Sequence, residues 1–163
     1  MQEIKDSKQA TVRIGYDGRV HKTFRGPLAE RRFKNEVMIL NYLAKQHCPF
    51  VPQILEADEA QLKMVTTNCG TIVDKISKDK LEHLFRELEQ YGVRHNDPFP
   101  RNVTYNPDLG RFCLIDFEFA TLLESGEGFS LEELEEMNKE KKNQRALAEL
   151  EALEAERDAE RNQ

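Results

Sequence analysis

Two short stretches decide how this chain is read: His95-Asn96-Asp97-Pro98-Phe99-Pro100-Arg101-Asn102 and Leu114-Ile115-Asp116-Phe117-Glu118. The first has two prolines and no helical period, so it reads as a stiff loop rich in polar side chains. Such loops, set between apolar elements, carry chemistry out of proportion to their length. The second is a buried-strand pattern, Phe112 to Ile115, ending on a carboxylate. Asp and Asn also make turn hydrogen bonds, so neither stretch alone specifies a function.

Working outward, residues 77–91 carry Leu81, Leu84, Phe85, Leu88 and Tyr91 on one helical face, and Gly92 supplies a left-handed stop. Residues 103–105 and 111–115 read as a hairpin across Asn106-Pro107-Asp108-Leu109-Gly110. Further upstream, 53–57 and 62–67 are short strands, and 28–45 is a helix. Its stripe is Phe33, Val37, Leu40 and Leu43, with Ile39 to one side. Strands at 11–14 and 19–24 flank the turn Gly15-Tyr16-Asp17-Gly18. The class is α+β.

Two residues break the apolar pattern. Glu36 comes three residues after Phe33 and four before Leu40, so it points to the core side of its helix. Lys22 alternates with Val20 and Phe24 on one strand face. A buried carboxylate needs a cation or strong donors, and each residue supplies what the other lacks. A snorkelling Glu and an edge-strand Lys are the plainer alternatives. His21, His47 and His83 lack ligand spacing, and His95 is placed to organise its loop. No zinc constellation, nucleophile elbow or Walker A loop is present.

Composition sets the outer limits. The chain has 163 residues and a net charge of -6, which disfavours nucleic acid as a partner. Hydrophobic residues make up only 39%, so some segment lies outside any core. That segment is the tail: 131–163 holds 11 acidic and 6 basic residues, a net of -5, leaving -1 for the rest. Ser130 and Glu133 form a capping box. Leu131, Leu134 and Met137 make one short stripe, and Leu147, Leu150 and Leu153 another, with an all-polar gap between. The expected organisation is a domain over 1–124, a linker over 125–129 and a charged helix over 130–163. The helix is either simply solvated or a surface for a protein partner or self-association. No apolar run suits a membrane span or a secretory leader. Cys48, Cys69 and Cys113, odd in number and far apart, suggest reduced thiols in a cytoplasmic protein.

The order strand Lys, helix Glu, H-x-D-x-x-x-x-N, hairpin, hydrophobic-D-F resembles the protein-kinase-like fold, over roughly 115 residues. VHK at 20–22 is similar to its phosphate-binding Lys strand, FKNEVMIL at 33–40 to its helix αC, and LIDFE to its metal-binding Asp-Phe-Gly. The resemblance is nearest to short atypical members, such as the RIO and lipopolysaccharide-core sugar kinases. It implies a truncated kinase-like fold with a β-rich N-lobe and a minimal C-lobe, using ATP and Mg. Lys22, held by Glu36, is then the phosphate ligand, Asn102 and Asp116 are metal ligands, and Asp97 is the catalytic base. Thr67, Asn68 and Cys69 line the nucleotide site as the hinge. Arg101 is placed to meet a phosphate or a carboxylate. The departures are no glycine-rich loop before Lys22 (6–10 stands there), Asn96 for the usual Arg, Glu118 for the usual Gly, and no substrate lobe. They make a catalytically silent pseudokinase, a regulatory or binding module linked to phosphorylation control, the alternative function. An unrelated α/β scaffold is the third.

Overall fold

β-Branched and aromatic residues are frequent in Ala10–Ile14 and Val20–Phe24, and these pair antiparallel as β2 and β3. The turn between them closes through the Gly15 amide on the Arg19 carbonyl at 2.8 Å, with Gly18 in the left-handed region. The computed structural model describes residues 2–7 and 9–161. β1 (Gln2–Asp6) pairs with β2. Of the segment 6–10, expected over the phosphates, Lys8 lies outside the described residues.

After β3 the chain forms α1 (Ala29–Lys45), then β4 (Ile54–Asp58) and β5 (Lys63–Thr66). The five strands make one antiparallel sheet in the order β1-β2-β3-β5-β4. Phe33, Ile39, Leu40 and Leu43 of α1 join Phe24 and Met64 of the sheet in the core. Ile39 was expected off the stripe, yet it is fully buried, while Val37 is only half-buried. The reason is that α1 buries a broad face, part apolar and part polar, with Arg32, Asn35 and Glu36 also inside.

The second half is built from smaller pieces. These are β6 (Thr71–Ile72), α2 (Lys78–Gln90), β7 (Val93–Arg94), a 3-10 turn at Pro100–Asn102, β8 (Val103–Asn106), β9 (Arg111–Leu114) and β10 (Thr121–Leu122). β6, β8 and β9 form one antiparallel sheet, and β7 pairs with β10. Ser77 caps α2 by accepting the Lys80 amide, and Leu84, Phe85 and Leu88 are its buried face. The two-residue strands are too short to leave a periodic trace, so of these strands only the β8–β9 hairpin was legible, beside the helix α2.

The chain divides into two compact units after Gly128. The first therefore runs past the expected boundary at 124. Residues 125–128 are not a free linker: the Gly126 amide bonds the Leu122 carbonyl, the Leu122 amide bonds the Glu127 carbonyl, and Gly128 bridges Thr121. In the second unit α3 (Leu131–Arg161) begins at the expected capping box, with reciprocal Ser130 and Glu133 bonds of 2.9 and 3.1 Å. Leu147, Leu150 and Leu153 are exposed along it. Among the described residues no helix is long and apolar enough to cross a membrane.

Candidate functional site

β3 carries Lys22 on its inward face beside Phe24, as the alternation requires, and α1 brings Glu36 to it. The ammonium stands 2.8 Å from Glu36 and 4.6 Å from the centre of the Phe24 ring. Asp116, just beyond β9, approaches the same nitrogen at 3.3 Å. Glu118 completes the set at 3.0 Å. One buried ammonium therefore faces three carboxylates, delivered by a helix and by the segment after β9.

The electrostatics follow from that crowding. Burial opposes the charge on Lys22, but Asp116, Glu36 and Glu118 outweigh it and hold its pKa above the ordinary lysine value. Burial pushes Glu36 up to about 7, helped by Asp116 and Glu118 and opposed by Lys22. Burial also works against Asp116, yet Lys22, then Lys5 and His95, hold its carboxyl below the usual range. Lys5 of β1, half-exposed, lies 3.8 Å from the outer Asp116 oxygen.

Asp116 adopts a left-handed backbone conformation at φ 65°. A non-glycine residue is held there only when its surroundings over-determine it, and such residues concentrate at functional sites. Here the Phe117 amide is aimed at Glu36 (3.4 Å), and the Asn35 amide group donates to the carbonyls of Glu118 and Ala120 at 2.9 and 3.0 Å. The polar face of α1 thus grips the backbone that carries Asp116.

A second cluster forms around Asp97. Its two oxygens accept from Arg101 at 2.6 Å and from the Asn102 amide group at 2.7 Å. The clusters join through backbone: the Ile115 amide bonds the Asn102 carbonyl at 3.0 Å. His95 ties them further, with Nε2 2.8 Å from the Ile115 carbonyl and Nδ1 accepting the Asp97 amide at 3.2 Å. That pattern fixes the neutral tautomer with the proton on Nε2, and burial lowers the His95 pKa in the same sense. His95 is the loop organiser its position suggested.

The expected residues divide accordingly. Lys22, Glu36 and Asp116 meet, and Asp97 and Asn102 meet. The acidic group around Asp116, however, consists of Glu36 and Glu118, whose oxygens lie within 4.8 Å of its own. Asn102 spends its amide nitrogen on Asp97 instead, through both carbonyl and carboxylate. Thr67, Asn68 and Cys69 follow β5, but the Thr67 amide bonds Gln53, the Asn68 side chain accepts the Gly70 amide, and the Cys69 carbonyl accepts from Thr104. The Thr67 amide is thus already paired within the chain, while the Cys69 carbonyl keeps a second lone pair. Arg101 meets a carboxylate, that of Asp97.

Besides Asn35, three contributors had no role assigned from sequence. Arg32, 1% exposed, reaches Glu118 at 3.3 Å and the carbonyls of Pro27, Gln9 and Arg25. Its position one helical turn before Glu36 was the available signal. Glu118 was noted only as a departure. Asn96 holds the loop to the segment after Asp116, donating to the Phe119 carbonyl at 2.7 Å and Thr121 Oγ1 at 2.8 Å. Its φ of 71° is one that Asn tolerates better than Arg.

All three cysteines are buried and unbridged. Cys69 and Cys113, distant in sequence, are hydrogen-bonded to each other; that bond, with burial acting in the same sense, raises the Cys69 thiol, and it lowers that of Cys113 against the opposing effect of burial. No protein-family model matches this chain, and no curated protein matches it.

Proposed function

We propose that the chain is a minimal, truncated protein-kinase-like phosphotransferase that uses Mg-ATP. The observation that carries this reading is the pinning of Lys22 by Glu36 and Asp116, from elements separated by most of the chain. The donor set fits the implied ligands: Asp116 and the Asn102 amide oxygen are hard oxygen donors of the kind magnesium takes. Magnesium would neutralise charge on the phosphate oxygens. Lys22 binds phosphate, and Glu36 aims it. Asp97 accepts the acceptor hydroxyl's proton while that oxygen bonds the γ-phosphorus and the bond from phosphorus to ADP breaks. Arg101 and Asn102 hold Asp97 in direction, and its remaining lone pairs stay available for that proton. Positioning and charge supply the rate, with little covalent chemistry from the protein.

Thermal-shift titration with ATP, with and without magnesium, tests the reading on wild type and on Asp116→Ala. A magnesium-dependent rise that the variant loses supports it. No rise in folded wild-type protein sinks it. A silent nucleotide- or partner-binding module is the second reading, favoured by the Thr67 amide, whose single donor is already bonded to the Gln53 carbonyl. Nucleotide binding without phosphate transfer to any hydroxyl would select it.

A further inference from the structure

An ammonium has three N–H donors, and Lys22 faces three carboxylates: Glu36 at 2.8 Å, Glu118 at 3.0 Å and Asp116 at 3.3 Å. An incoming phosphate must displace one of them. Their anchoring differs sharply. The Glu36 and Glu118 side chains are 4% exposed, whereas that of Asp116 is 24% exposed and lies on the solvent side. Glu118 is also held from behind by Arg32, itself buried and bonded to three backbone carbonyls. Asp116 makes the longest of the three contacts and has Lys5 as a second cation nearby.

We propose that Glu118 makes this site selective for the metal complex of a polyphosphate over the free polyanion. The inference rests on the phosphotransferase reading above. Glu118, held by Arg32, keeps its charge against the Lys22 ammonium, and of the two donors that Lys22 gives to carboxylates the one a phosphate can gain is that to the more exposed Asp116. Releasing it requires a competing cation for the Asp116 carboxylate, which a divalent ion supplies. Without that ion, a free triphosphate meets a pocket of three acids against Lys22 and Arg32, and like charge keeps it out. With glycine at 118, the pocket would carry one negative charge fewer against the incoming phosphate.

The test is calorimetric titration of full-length protein with ATP and with inorganic tripolyphosphate, in EDTA and in magnesium. Wild type and Glu118→Gln are compared, with circular dichroism as the check on folding. Gln keeps the volume and one oxygen acceptor for Arg32. Wild type is expected to bind in magnesium and at least tenfold more weakly in EDTA. Glu118→Gln is expected to gain roughly tenfold in EDTA and to change little in magnesium, as one charge removed from beside the ligand implies. Equal wild-type affinity in both buffers overturns the proposal, whether or not the variant folds. A variant that folds, binds in magnesium and gains nothing in EDTA also overturns it, leaving the phosphotransferase reading in place. No binding by wild type in either buffer removes that reading and this one together.

Discussion

Replacing Lys22 with Met removes the ammonium that three clustered carboxylates share, and the loss should be larger at neutral pH than in mild acid. Methionine keeps the length and apolar surface of the stem, so the change is chiefly electrostatic. Carboxylate oxygens within 4.8 Å of one another repel by about 3.5 kcal/mol per pair at an effective dielectric near 20. The folded variant escapes by taking up a proton. In the wild type Asp116 works against its own burial because Lys22 holds its carboxyl below the ordinary 3.8. Without Lys22, burial prevails and that carboxyl titrates above 3.8. Keeping it protonated at pH 7 costs about 4.4 kcal/mol relative to the unfolded chain, and at pH 5 about 1.6 kcal/mol, at about 1.36 kcal/mol per unit. These values are the cost of that one proton, and the upper one lies within the 3–5 kcal/mol range for breaking a buried pair. The folded variant holds a proton on Asp116 that the folded wild type does not, so its stability relative to wild type falls as pH rises. Wild type has a slope of its own: Glu36, raised from 4.5 to about 7, contributes stability present below about 4.5 and lost through about 7. Urea unfolding followed by far-ultraviolet circular dichroism at both pH values reads the difference. An equal loss at pH 5 and pH 7, or a loss under about 1 kcal/mol at pH 7, would refute the shared-ammonium account.

Lys22→Ala and Glu36→Ala should be strongly non-additive, the double variant losing at least about 1 kcal/mol less than the sum of the singles. Additive losses in urea midpoints would deny their direct bond. Gly70→Ala should lower stability by about 2 kcal/mol or more, because φ is +95° and the new Cβ would meet the Tyr105 carbonyl oxygen at 1.9 Å. Gly18→Ala is its control: φ is +78° but the space is open, so about 1 kcal/mol is expected. The thiols should resist alkylation in the native protein at pH 7.5, since all three are buried and Cys48 is pushed up to about 11. Mass spectrometry should find three labels only after denaturation, and fast native labelling of Cys48 would contradict its burial.

The long elements were legible because their hydrophobic periods are long enough to be unambiguous. The capping box at Ser130 and the glycine stop at Gly92 fixed two helix ends for local chemical reasons. Lys22 and Glu36 were legible as a pair because each violated the apolar pattern of its own element. Arg32, Asn35 and Glu118 were not, since a polar residue on a helix or after a strand is ordinary until a distant segment is seen to cover it. The fate of residues 67–69 was hidden for a similar reason: their partners, Gln53 and Thr104, come from other elements. The turn at 125–128 has a linker's composition, and only its bonds back to β10 show otherwise.

The grip of α1 on the segment after Asp116 has a consequence for how this sequence can drift. The grip is ionic and directional, made by Arg32, Asn35 and Glu36, and among the described residues no buried side-chain nitrogen or oxygen lacks a partner. Losing one member strands another in a place water does not reach. Arg32 and Glu118 should therefore be inherited as a linked pair. In a relative with glycine at the position of Glu118, an uncharged residue is expected at that of Arg32. A chain that changed one without the other would have passed through a less stable intermediate.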